Sequence, residues 1–165
     1  MTETGIYTVE HIRREIQKRL APKGAKKMNT VAGVPLKHFK ASEFRHPNMM
    51  DSQFLLFLDA VREQAGLPFI LTSDGRSYDH NLRVGGASRS LHLFTAGRGA
   101  RAVDFGTSWG RRPWVEFAAI TEAVIEVSKA IDQHYQLELV WSAKDKHIHL
   151  GLLREGPSQL IIAAD

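Results

Sequence analysis

The chain has 165 residues, 43% hydrophobic and 24% charged, with 22 Lys and Arg against 18 Asp and Glu for a formal charge of +4. That is one ordinary globular domain, which excludes two full domains, wholesale disorder and fibrous architectures. With no cysteine, disulfides, thiolate zinc fingers and a cysteine nucleophile are excluded, so any metal must be held by histidine and carboxylate.

The charge is uneven. Residues 1–40 hold nine basic and three acidic side chains, a balance of +6, and the remainder balances to −2. Thr8 is an N-cap candidate, and Val9, Ile12, Ile16 and Leu20 recur at helical spacing with Arg13, Arg14, Lys18 and Arg19 on the other face. Residues 21–33, with Pro22, Gly24, Gly33 and three lysines, read as a linker. The chain therefore divides into a basic amphipathic helix and linker over 1–35 and a compact domain over 36–165. The basic segment suits an anionic cell wall, an acidic partner or nucleic acid, or is simply a solvated helix. No run approaches the roughly 20 apolar residues of a bilayer span, and the N-terminus lacks the order of a secretory signal, so synthesis in the cytoplasm is expected.

Asp51 can cap a helix in which Phe54, Leu55, Leu58, Val61 and Ala65 form the apolar face, stopped by Gly66 and Pro68. Residues 69–72 read as a short buried strand and 73–90 as an irregular loop rich in Gly, Ser, Asp and Asn. Residues 101–105 read as a second strand. Pro113 opens a long helix to about His134, with Phe117, Ile120, Ala123, Val124, Val127 and Ile131 facing inward. Residues 137–141 and 147–152 form an antiparallel hairpin around the polar segment 142–146, and 159–164 is a candidate edge strand.

On a strand His147 and His149 project from one face while Ile148, Leu150 and Leu152 project from the other, so two imidazoles stand side by side. Alone, that spacing more often marks two half-exposed histidines on a sheet. Ser90-Leu91-His92 followed by Arg101-Ala102-Val103-Asp104 adds a His and an Asp flanking a turn. With a distant His they offer two neutral nitrogens and one carboxylate oxygen, a set that suits Zn²⁺ with a fourth position open.

The stretches 39–45 (FKASEFR), 71–77 (LTSDGRS), Asn81, 84–87 (VGGA), Ser90-Leu91-His92, Arg101 to Asp104 and the closing His147-Ile148-His149 resemble, in order, the M15 zinc peptidases. These are D-Ala-D-Ala carboxypeptidases and phage endolysins that cut peptidoglycan stem peptides. The order is also similar to the amino-terminal signalling domain of hedgehog proteins, which shares the zinc site without an established peptidase role. The resemblance implies His92, Asp104 and His149 as Zn²⁺ ligands and Arg76 as the arginine whose planar fork holds a substrate carboxylate. Zn²⁺ would polarise the scissile carbonyl and acidify water, and His147 would exchange the proton or steady the oxyanion. Ser90 and Ser73 either orient His92 or its loop, or simply hold turns. Trp109 and Trp114, flanking Arg111 and Arg112, either wall a substrate groove or pack at a helix start.

Two departures from the family stand out. Eleven residues separate His92 from Asp104 where the family usually has six, and Ala100 stands where it has glycine. The excess falls within residues 94–99, a segment that either bulges out as a flap or dismantles the site. The family's glutamate base is also missing: Ala143 and Lys146 occupy the positions six and three before His149. Asp145 is the nearest replacement, with Glu138 more distant.

These observations imply an α+β domain, a small antiparallel sheet with helices on one face and a zinc cleft on the other. The function they imply is a zinc-dependent peptidase acting on peptidoglycan peptides, made in the cytoplasm and acting on the cell wall. The alternative is a weak or inactive zinc-bearing module of the same fold. A nucleic-acid partner is disfavoured, since the part beyond residue 40 is net acidic and carries no recognised nucleic-acid module.

Overall fold

The computed structural model describes Arg14 and residues 29–164; the helix read from Thr8 to Leu20 lies, apart from Arg14, outside them. The elements in chain order are β1 (Asn29–Val31), β2 (Val34–Leu36), two 3₁₀ turns, α1 (Ser52–Ala65), β3 (Ile70–Ser73), α2 (Tyr78–Arg83), β4 (Ala102–Gly106), α3 (Pro113–Ile131), β5 (Tyr135–Trp141), β6 (Lys146–Leu152) and β7 (Gln159–Ala164). The fold is α+β. Its main sheet is open, with strand order β3-β4-β6-β5-β7, antiparallel except where β7 runs parallel to β5.

Local chemistry explains the helices. Asp51 accepts a hydrogen bond from Phe54 N at the start of α1, and Gly66 ends it in the left-handed region at φ 65°, where a residue without Cβ is unstrained. α3 begins at Pro113 and ends at Asp132, itself left-handed. α1 buries an unbroken run from Phe54 to Val61, more than one amphipathic stripe, because it contacts both α3 and β2. In its middle, the buried Asp59 carboxylate accepts from the backbone N–H groups of Lys37 and His38 at 3.0 and 2.8 Å, tying the chain after β2 to the helix.

The sheet has two unlike faces. Pairing aligns Val103 with Leu150 and Leu137, and Phe105 with Ile148 and Leu139; all six side chains are buried with those of α1 and α3 in one core. The alternate positions Asp104, His149 and Glu138 share the opposite face. Burial of the first set fixes the register of the second.

Three expectations change. Residues 29–33, read as the end of a linker, belong to the β1–β2 hairpin, and Val31 enters the core: a two-residue turn needs the same Gly-rich composition as a linker. The strand near residue 70 is an edge strand and not a buried one; Phe69 is buried but Ile70 is 56% exposed. The 73–90 segment contains α2, capped by Ser77, whose side chain accepts from His80 N, a helix too short to produce a periodic signal. The tail is a strand as expected, on the edge beside β5.

Candidate metal centre

Asp104 and His149 are directly paired on β4 and β6, so strand alternation alone brings their side chains together. His92 reaches them from the loop before β4. Its backbone N–H donates to Ser90 Oγ (3.2 Å), its carbonyl accepts from Arg76 N (2.7 Å), and the preceding Leu91 carbonyl accepts from Arg101 N (2.7 Å). A shift in register between Leu71 and Ser73 where β3 meets β4 re-aims the chain into Asp74 and Arg76.

The residues around the two imidazoles fix which nitrogen carries the proton. His92 Nδ1 lies 2.7 Å from the Asp74 carbonyl oxygen, which can only accept, so Nδ1–H donates and Nε2 presents a lone pair. Gln136 Nε2 donates to Gln159 Oε1 at 2.9 Å, which turns Gln136 Oε1 toward His149 Nε2, also at 2.9 Å. That nitrogen therefore donates, and His149 Nδ1 is free. Both lone pairs point at Asp104 Oδ1, 3.2 Å from His92 Nε2 and 2.9 Å from His149 Nδ1, with the two nitrogens 3.2 Å apart.

Three electron-pair donors thus crowd one point, and something positive must separate them. Protons on the imidazoles can do so. Burial works against the Asp104 charge, but hydrogen bonds from His149 and His92 and their positive charge outweigh it and hold the carboxyl well below the usual carboxylate range. A divalent cation replaces those protons. Ligand bonds of about 2.0–2.1 Å in tetrahedral geometry place donors about 3.3 Å apart, a few tenths of an ångström wider than this triangle. Two neutral nitrogens, one carboxylate oxygen and outer hydrogen bonds that fix both tautomers fit Zn²⁺ with one position open. Among the described residues, His92, Asp104 and His149 form the one cluster of this kind.

Arg76 Nη2 donates to Asp104 Oδ2 (3.3 Å) and to Ser73 Oγ (3.2 Å). It therefore occupies the carboxylate oxygen turned away from the triangle, and Ser73 serves Arg76 rather than His92. His147 stays outside the triangle. It lies on the same face two residues from His149, and its Nδ1 meets Asp145 Oδ1 at 2.9 Å in the turn closed by Ser142, whose N–H donates to the Asp145 carbonyl. Glu138 is the cross-strand partner of His149 on β5.

Residues 94–99 do not break the site. Thr95 and Arg98 exchange backbone hydrogen bonds in a tight turn, Phe94 N donates to the Arg76 carbonyl, and Ala100 N to that of Met49. Gly99 presses on α1's cap, where a Cβ would lie 2.6 Å from Asp51 N. Both ends are pinned, so the surplus residues are spent in the turn and His92 still meets Asp104. Trp109 and Trp114 pack on Trp141, with ring centroids 5.1 and 6.0 Å away, a cluster beside the first residues of β6.

Two supports escaped the sequence reading. Asp74 acts through a backbone carbonyl, which leaves no trace in residue type. Gln136 was legible in principle, because alternation along β5 puts it on the face of Glu138. Beside this face runs a cleft of about 770 Å³ to which His149, Gln136 and Glu138 contribute.

A family model described as Peptidase M15 matches residues 28–151; no curated protein and no solved structure matches. That match covers most of the chain, including every member of the His-Asp-His triangle, and with it the chain belongs to the M15 peptidase family.

Proposed function

We propose that this protein is a zinc-dependent peptidase that cleaves peptidoglycan stem peptides, as a D-Ala-D-Ala carboxypeptidase or an endolysin-type endopeptidase. The observation that carries the reading is the convergence of three lone pairs from His92, Asp104 and His149, with both imidazole tautomers fixed from behind. When bound, Zn²⁺ supplies Lewis acidity that polarises a carbonyl and makes water acidic enough to deprotonate near neutral pH.

The chain's own residues do the rest. Asp145 Oδ1 accepts from His147 Nδ1–H, which leaves His147 Nε2 as the base that takes a proton from the attacking water and returns it to the leaving amine. A His held by a carboxylate in this way replaces the family's missing glutamate. Arg76 keeps Asp104 Oδ2 engaged, and the remainder of its planar fork, which makes no other side-chain hydrogen bond than that to Ser73 among the described residues, is free to hold a peptide carboxylate. The enzyme is made in the cytoplasm and acts on the cell wall, with the basic N-terminal segment contacting anionic wall polymer. Among the described residues no helix is long and apolar enough to cross a membrane.

The second reading, a zinc-bearing module without turnover, is favoured by Ala143 and Lys146 in the hairpin. Metal analysis paired with digestion of purified muropeptides separates the two. The parent should retain one equivalent of zinc and release product. His149→Ala should lose both, and Asp145→Ala should keep the metal and lose roughly 10²-fold in rate, the usual scale for a disabled general base. Stoichiometric zinc with no product from any muropeptide would establish the second reading.

A further inference from the structure

The cleft beside the metal triangle carries three guanidinium groups that no part of the mechanism uses. Arg89 comes from the loop after α2, Arg98 from the turn formed by the surplus residues 94–99, and Arg154 from just beyond the end of β6; all three line the same cleft as His149. Like charges gathered on one wall are unfavourable unless something answers them. Among the described residues, neither Arg89 nor Arg98 makes a side-chain hydrogen bond or ion pair, and Arg154 spends one N–H on the Gly99 carbonyl at 3.1 Å. Burial first, then the charges of Arg98 and Arg101, push the Arg154 guanidinium down, with Asp51 opposing, so Arg98 and Arg154 are close enough to repel. Glu155 and Glu138 also line the cleft, but neither forms an ion pair with these arginines.

The position of the wall relative to the metal triangle follows from the strand. His149 to Leu152 covers about 10 Å of β6 at 3.3 Å per residue, and Arg154 lies beyond that end. An extended peptide with its scissile bond at His149 therefore brings a residue three or four positions away to the arginines. At the other end of β6, outside the cleft lining, Lys146 lies over the Trp141 ring at 4.7 Å, within the tryptophan cluster.

We infer that Arg98 and Arg154, with Arg89, form a specificity subsite for a peptide that carries a carboxylate three or four residues from the scissile bond. The surplus residues between His92 and Asp104 are then the element that places Arg98 in this wall. The inference rests on the peptidase reading for the polarity of the site but concerns binding, and it can be tested without turnover.

The probes are alanine hexapeptides ending in D-Ala-D-Ala, with a single Glu or Gln walked along the remaining positions. Affinity for the zinc-loaded protein is measured by calorimetry, and hydrolysis is followed in parallel. At one or two adjacent positions Glu should bind about tenfold more tightly than Gln, as expected for charge-assisted pairs in a partly desolvated cleft, and the gap should narrow with salt. Arg98→Ala combined with Arg154→Ala should bring the pair to within about twofold, whereas Lys129→Ala, on the exposed side of α3, should leave the preference intact. Circular dichroism and zinc content confirm that the double variant is folded, and single Arg→Lys variants, which keep the charge, should retain part of the preference. Equal affinity for Glu and Gln at every position, or a preference that survives the double variant, overturns the inference. A Glu preference with no hydrolysis of these peptides or of any muropeptide sinks the peptidase reading alone, and hydrolysis without a Glu preference sinks this inference alone.

Discussion

The two faces of β6 are built from adjacent residues but by different physics. Ile148, Leu150 and Leu152 on one face are fully buried against the helices, and any apolar side chains of similar volume would serve there nearly as well. His147 and His149 on the other face owe their orientation to particular partners: Asp145, Asp104 and Gln136. The comparison separates what holds the sheet together from what aims its chemistry. It also shows a dependence in one direction, since the polar face is in register only because the apolar one is packed.

The hardest blow to that arrangement should be Leu150→Ala, which removes a fully buried side chain and should cost about 2–5 kcal/mol. Denaturant unfolding should show the loss in metal-free and zinc-loaded protein alike; a loss confined to the zinc-loaded form would mean that the faces are not separable. Gln136→Leu acts on the other face. It frees the His149 tautomer without touching a ligand, and zinc affinity measured against a competing chelator should fall roughly 10- to 100-fold, with thermal stability of the metal-free protein nearly unchanged. Gln136→Glu, which keeps an acceptor, should recover most of the affinity.

The smallest effect should come from pH on the metal-free protein. The Asp104 carboxyl is depressed in the folded state, so it contributes stability that is fully present above its unfolded pKa of about 3.9 and is lost as pH falls through the lower folded value. Melting in chelator should give a constant gap between the parent and Asp104→Asn from pH 8 to 5, closing only in strong acid. A gap that instead widens as pH falls from 7 to 5 would assign the stabilisation to protonation of the imidazoles.

Strong local signals made most of the frame readable. Asp51 and Gly66 bracket α1, Pro113 opens α3, and alternation in 147–152 separates the two faces of β6. The candidate ligands His92, Asp104 and His149 were readable as residue types in an order that resembles a family, and the match over residues 28–151 places the chain in it. Less legible were features whose cause lies elsewhere in the chain: the exposure of Ile70, set by β3's place at the sheet edge, and the short helix in residues 73–90, held by the Ser77 cap and by Asn81 Nδ2 donating to the Ala87 carbonyl.

Sequence by itself determined periodicity, caps and the stock of possible ligands, because these depend on neighbours within a few residues. Only the tertiary structure decided that eleven residues between His92 and Asp104 could fold away without parting them, since the backbone bonds that pin both ends reach Arg76 and Met49. It also decided which imidazole nitrogens are free. A tautomer is set by the acceptor on its far side, and those acceptors, the Asp74 carbonyl and Gln136, come from segments that only folding brings into contact.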